Sequence, residues 1–204
     1  MELPSRIGLD LDNTIVDYSK AFPVIAKTLG LPASFRRRDE IRDRLRVSPP
    51  HDFEWQEFQA LLYTKGLEYA RPASGLEQFL GECSSLGVRV FIVSHKTGRT
   101  PEAFGAHDLH APAMNWLVVN NVVPNFVADT DVYFCPTQVE KIQTINDVDV
   151  DVFVDDLSEI LTDSGLPDTM VRWHFVPTAS PKPAPVLGLP TTDFPRLTEW
   201  LRAC

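Results

Sequence analysis

The chain has 204 residues, with 28 acids against 19 lysines and arginines and a formal charge of −9. That length allows one substantial core plus a modest insertion. The acidic balance, with no long basic run, argues against a nucleic-acid duplex or an anionic membrane as the main partner.

Cys83, Cys135 and Cys204 are far apart, odd in number and free of metal-like spacing, which fits a reducing compartment. The start of the chain has no basic stretch followed by an apolar core and a cleavage site. No apolar stretch nears the roughly 18 residues that span a bilayer. A soluble, unexported, cytoplasmic protein is expected.

The first element is a short apolar run, residues 7–11, reading as a buried strand with Asp10 and Asp12 at its C-terminal end. In open α/β sheets ligands sit beyond the carboxyl ends of the strands, and two acids one residue apart there can divide nucleophilic or metal-binding work from proton transfer. A turn alone would account for Asp12 and Asn13. It does not account for Asp10, whose carboxylate is costly to bury without a partner. A calcium loop is excluded: Asp10, Asp12 and Thr14 match its first, third and fifth positions, but Ile15 and Ala21 stand where that loop needs Gly and Glu.

Residues 18–71 form an insertion far longer than a crossover requires, and they read as a small helical cap. Its pieces are 19–29, 36–46 and 52–63, broken by Leu31-Pro32 and by Ser48-Pro49-Pro50. Within it, Arg36, Arg37, Arg38 and the segment 51–58 with Trp55 are the residues best able to grip a ligand. A solvated helix face and internal packing of Trp55 on Phe58 explain most of them without one.

A helix over 75–86 then leads to a strand over 88–93, followed by Ser94, His95, Lys96 and Thr97. A serine there is ordinarily a turn or cap residue, and its functional reading is as a donor to a phosphoryl oxygen. Another helix is expected over 108–120. His107 and His110 lack a third ligand and read as surface residues rather than a metal pair.

A strand over 132–134 and a helix over 137–145 follow, with Thr137 and Glu140 spaced as a capping box. Lys141 lies in that helix. If its ammonium reaches the strand ends, it can steady a nucleophilic carboxylate and offset an incoming phosphate.

The strand over 148–154 ends at Asp155 and Asp156. Asp156 with Glu159 has capping spacing, which explains one acid but not its neighbour. Adjacent acids facing Asp10 and Asp12 would assemble the oxygen-rich shell that magnesium prefers. A strand over 171–175, a proline-rich stretch over 177–190 and a helix over 194–202 complete the chain. Strands alternating with helices predict an α/β fold with a mostly parallel sheet.

In this order, Asp10-Leu-Asp12-Asn13-Thr14, Ser94 after a strand, Lys141, and Asp155-Asp156 resemble the four motifs of the haloacid dehalogenase superfamily, specifically its aspartate-nucleophile phosphatases. The resemblance covers nearly the whole chain and implies a Rossmann-like core, residues 1–17 and 72–204, carrying a helical cap over 18–71. It implies that Asp10 attacks phosphorus and that Asp12 is the acid and then the base. Ser94 and Lys141 would bind phosphoryl oxygens, with Asn13, Thr14, His95 and Lys96 lining the substrate site. Lys96 is a rival for the role given to Lys141.

Magnesium would be held by Asp10, the Asp12 backbone carbonyl, Asp155 and, directly or through water, Asp156. The second acid, Asp12, favours phosphoryl transfer over dehalogenation. The resemblance thus implies a magnesium-dependent phosphatase of a small phosphorylated metabolite. A phosphomutase and a silent binding protein on the same fold are the alternatives, and a homodimer is open to all three.

Overall fold

The computed structural model describes residues 2–32, 38–45, 52–176 and 190–204. In chain order the strands are β1 (Arg6–Leu9), β2 (Val16–Asp17), β3 (Arg71–Pro72), β4 (Arg89–His95), β5 (Val132–Cys135), β6 (Val152–Asp155), β7 (Val171–Phe175) and β8 (Thr191–Thr192). The helices are α1 (Ala21–Thr28), α2 (Arg38–Leu45), α3 (Phe53–Leu62), α4 (Leu76–Ser85), α5 (His110–Val119), α6 (Gln138–Asp147), α7 (Ser158–Leu161) and α8 (Phe194–Arg202).

The chain divides into two compact units, one comprising Met1–Val16, Pro72–Lys96 and Leu117–Cys204, the other Asp17–Arg71 with Thr97–Trp116. The sequence reading left 97–116 with the core; in the structure this segment groups with 17–71.

The first unit is built on a six-stranded parallel sheet in the order β5-β4-β1-β6-β7-β8. This is the α/β, Rossmann-like core expected from the sequence. Its first strand is central, with Leu9 opposite Ile92 of β4 on one side and Val154 of β6 on the other. Strands covered on both faces become continuous apolar runs, and Val90, Phe91, Ile92 and Val93 are accordingly all buried. On one face, Phe91, Val93 and Phe153 pack with Ile142 and Ile145 of α6 and with Ile160 and Leu161 of α7. Elsewhere in this unit Phe194 of α8 lies 5.3 Å from Phe79 of α4 and 5.0 Å from Phe175 of β7, ring to ring.

Gly8 has a steric reason to be glycine. A Cβ there would fall 2.6 Å from Cδ2 of Phe153, the neighbouring residue on β6.

One strand starts later than its hydrophobicity suggests. The run over 148–154 was expected to be a single strand, but β6 begins at Val152. The amides of Val148 and Asp149 are instead donated back to Thr144 and Asn146 of α6, and Asp149 turns the chain with φ of +52°. α6 itself begins as its spacing predicts, the Thr137 side chain accepting from the Glu140 amide at 3.2 Å. The proline-rich stretch over 177–189 lies outside the described residues.

The second unit is helical with an aromatic interior. Phe58 is fully buried, stacking on Trp55 at 5.6 Å, and Phe22 stacks on Phe58 at 6.4 Å. Tyr18 meets Tyr63 edge-on at 5.9 Å. Trp55 is therefore a packing residue, 5% exposed, rather than one presented to a ligand. Arg36 and Arg37 lie outside the described residues. Among the described residues, no helix is long and apolar enough to cross a membrane.

Candidate active site

The sheet order brings the C-terminal ends of β4, β1 and β6 side by side, and all the acids and lysines singled out from the sequence belong to this first unit. Asp10 follows the last residue of β1 and stays in line with the sheet, its amide donating to the Val154 carbonyl at 2.9 Å. The chain then folds back sharply, as the amides of Ile15 and Val16 both donate to the Leu11 carbonyl. Asn13 sits in this turn with φ of +68°, a left-handed conformation that asparagine tolerates better than most residues. Its identity thus has a backbone reason as well as the substrate-binding one expected.

Lys141 joins two strand ends. Its Nζ donates to Asp10 Oδ1 and to Asp155 Oδ2, both at 2.6 Å. The lysine side chain is 1% exposed and Asp155 is wholly buried. The ammonium also lies 5.5 Å from the centre of the Phe153 ring. An ammonium so far from water persists only when paired with charge. Burial works against its charge, but the two carboxylates more than compensate and raise its pKa above the ordinary lysine value.

Asp10 feels the opposite imbalance. Burial pushes its carboxyl up to about 7; the Lys141 ammonium opposes the shift, and the negative charge of Asp155 adds to it. Two buried carboxylates share one ammonium, so one negative charge is left uncompensated.

Asp156 is the third member of this cluster. One carboxylate oxygen from each of Asp10, Asp155 and Asp156 lies within 4.8 Å of the others. Hard oxygen donors at this spacing, with excess negative charge, suit a hard divalent cation such as magnesium. The Asp12 carboxylate is not one of the three: its Oδ2 lies 2.6 Å from Nζ of Lys96, itself 2% exposed.

The turn after β6 differs from the sequence reading. α7 starts at Ser158 with Leu157 in the N-cap position, so Asp156 stands one residue ahead of the cap position that its spacing to Glu159 predicted. Asp155 supports the turn instead, its Oδ1 accepting from the Leu157 amide at 2.8 Å. A residue that no motif indicated also belongs here. His174 on β7, level with Asp155, is buried, and its Nε2 lies 3.0 Å from the Asp156 carbonyl oxygen. Only the order of the strands brings it there; neither its spacing nor its neighbours in the chain distinguish it.

Ser94 and Thr14 are fully buried, and neither hydroxyl has a hydrogen-bond partner. Buried hydroxyls are normally satisfied, so these two orphans, Thr14 in the turn after β1 and Ser94 near the end of β4, are candidates to meet ligand oxygens. His95 behaves differently. Side chains alternate along a strand, and between buried Ser94 and buried Lys96 the exposed His95 ring turns to the Pro136 carbonyl at 3.2 Å. At the other end of the strands lies a cavity of about 530 Å³ lined by residues including Ser5, Asn146, Asp151 and Trp200, with no comparable cluster of acids among the described residues.

No protein-family model matches the chain, and no curated protein matches it. Solved structures do. The protein tyrosine kinase A of Mycobacterium tuberculosis is 14% identical, with 98% of this chain and 99% of that one aligned at a TM-score of 0.63. A putative β-phosphoglucomutase from Thermotoga maritima is 14% identical over 97% and 98% of the two chains, with a TM-score of 0.61. A haloacid dehalogenase family hydrolase from Deinococcus radiodurans, with bound phosphate and sodium, is 16% identical over 99% and 97%, with a TM-score of 0.60. At such identities the likeness concerns the backbone, and with the parallel sheet and its order it shows that the chain has the fold of haloacid dehalogenase-like hydrolases.

Proposed function

We propose that this protein is a magnesium-dependent phosphatase that hydrolyses a small phosphorylated metabolite through an aspartyl phosphate on Asp10. The observation that carries the reading is the Lys141 ammonium shared at 2.6 Å between Asp10 and Asp155. It binds Oδ1 of Asp10 and so leaves Oδ2 as the attacking oxygen. Three free cysteines, two of them buried, accord with a reducing cytoplasm.

In the first step Asp10 Oδ2 forms a bond to phosphorus while the ester P–O bond breaks. The departing electron pair stays on the leaving oxygen, which takes a proton from Asp12. In the second step water attacks the phosphorus of the aspartyl phosphate and gives a proton to Asp12. The P–O bond to Asp10 breaks and the carboxylate is regenerated. The orphan hydroxyls of Ser94 and Thr14 are suited to donate to phosphoryl oxygens, and Lys141 holds Asp10 against rotation. Magnesium held by Asp10, Asp155 and Asp156 would neutralise the excess negative charge and polarise the phosphoryl group.

Among the structural neighbours, the Deinococcus structure with phosphate and sodium supports a phosphate-binding site on this fold, and the Thermotoga protein keeps a phosphomutase in view as the second reading. The test is hydrolysis of p-nitrophenyl phosphate and a panel of phosphorylated sugars, nucleotides and small acids, with magnesium and after chelation. Magnesium-dependent phosphate release, lost on Asp10→Asn and blocked by beryllium fluoride, is expected. Isomer formation without phosphate release would make the protein a mutase, and activity undiminished by chelation would remove the metal.

A further inference from the structure

The site contains two buried lysines, and they pair with different carboxylates. Lys141 serves Asp10 and Asp155, whereas the Lys96 ammonium is 2.6 Å from Asp12 Oδ2, with side-chain exposures of only 2% and 12%. Lys96 was expected to line the substrate site, as a rival to Lys141 for the phosphoryl group. The carboxylate it pairs with is instead the one assigned to proton transfer.

We propose that Lys96 is a positioning residue acting through Asp12: its ammonium holds Oδ2, fixing the carboxylate so that Oδ1 exchanges the proton with the leaving group and then with water. The proposal rests on the phosphatase reading above.

The physical need is plain. Asp12 lies two residues from Asp10, which shares its surroundings with Asp155 and Asp156, and like charges at such range repel one another and an incoming phosphate. A carboxylate that turned away by one rotamer would leave the reacting oxygen unserved, and misplacement by about 1 Å can cost 10²-fold in rate. One buried cation on one oxygen opposes that rotation. The sequence supplies it economically: Lys96 lies two residues beyond Ser94, so strand alternation sends both side chains to the same side of the sheet, while His95 is exposed between them.

A double-mutant cycle on the full chain with magnesium tests this, using Lys96→Met, Lys96→Arg, Asp12→Asn and the double variant Lys96→Met/Asp12→Asn. Lys96→Met is expected to lower kcat about 10²-fold, within the range of general acid–base help. KM for p-nitrophenyl phosphate and inhibition by inorganic phosphate should stay near wild type. The loss should be larger for an alkyl phosphate, whose leaving group needs the proton most. Lys96→Arg should recover part of kcat, and the double variant should be no slower than Asp12→Asn alone, since residues acting as one unit are not additive.

If the two losses multiply, or if phosphate inhibition weakens with Lys96→Met, the lysine grips the phosphoryl group itself and the proposal fails. Should Lys96→Met not fold, as judged by circular dichroism, Lys96→Gln takes its place in the same cycle. A wild-type chain that neither releases phosphate from any ester nor binds beryllium fluoride overturns the phosphatase reading and this proposal with it. An active wild type with an additive cycle overturns this proposal alone.

Discussion

Strand β6 has an aspartate at each end, and the two live under opposite conditions. Asp151, just before the strand, is exposed, and one of its oxygens accepts from the Ser5 amide at 2.7 Å, the Ser5 hydroxyl at 3.0 Å and the Arg6 amide at 2.9 Å. Desolvation works against its charge, but these donors hold its carboxyl below the ordinary value. Asp155, at the far end, is wholly buried and shares one ammonium with Asp10. At one edge of the sheet donors outnumber the charge, and at the other charge outnumbers the donors. An arrangement that lowers stability without a ligand is characteristic of a working site, and an arrangement that satisfies itself is characteristic of a structural tie.

The sharpest way to break this contrast is Asp10→Asn. Turnover should fall to background because the nucleophile is gone, while metal-free thermal stability should equal or exceed wild type because the uncompensated charge is gone too. A clear drop in melting temperature would show that Asp10 stabilises the fold. Lys141→Met should act in the reverse sense, costing roughly 3–5 kcal/mol in chemical denaturation at about pH 8, since it leaves two carboxylates buried without a cation. Gly8→Ala should cost about 1–3 kcal/mol as the Phe153 ring is displaced. Because that ring lies beside Lys141, kcat should fall as well; unchanged kcat would separate packing from the site.

Titration should distinguish the two edges by sign. Asp10 has a folded pKa raised from 3.8 to about 7, so between these values the folded state holds more protons than the unfolded one. Its contribution is fully present below the unfolded value and is lost as pH rises through about 7. Asp151, with its pKa lowered, contributes stability above the unfolded value that is lost as the medium becomes acid. Denaturation curves should therefore show a decline toward neutral pH in the metal-free protein that disappears in Asp10→Asn and is reduced by magnesium. The smallest effect is expected for Asp151→Ala, about 1 kcal/mol from lost hydrogen bonds at an exposed site, with kcat unchanged.

Much of this was readable from the chain because the cues were local. The acids after β1 and β6 stand out against apolar runs, Thr137 and Glu140 mark the start of α6, and Leu31-Pro32 follows the end of α1. What escaped depended on contacts distant in sequence. His174 meets Asp156 only because β7 lies beside β6. The choice between Lys96 and Lys141 could not be made from spacing, since both lie near motif acids and only side-chain paths give Lys96 to Asp12 and Lys141 to Asp10. The late start of β6 was hidden because Val148 and Val150 are as apolar as strand residues, although they belong to a turn whose side chains join the core cluster with Ile145 and Phe153. Asp156 and Glu159 had the spacing of a cap, but the helix begins one residue later, with Leu157 at its N-cap and the Asp155 side chain accepting from the Leu157 amide.

The central place of β1 has a consequence for how the molecule assembles. The strand of this sheet that comes first along the chain is also its middle, and its partners are Arg89 to Ile92 on one side and Val152 to Val154 on the other. Pairings so distant along the chain incur a large loop-closure cost before they are rewarded. β1 must therefore wait, unpaired on its β6 side, until Val152 to Val154 have been made, whereas the helices between Ala21 and Leu62 draw on residues close in the chain. A nascent chain that ends before Val152 has Asp10 and Lys141 but no strand to bring Asp155 to them. The acid cluster consequently forms only once β6 has been made, and no product ending before Asp155 can carry it.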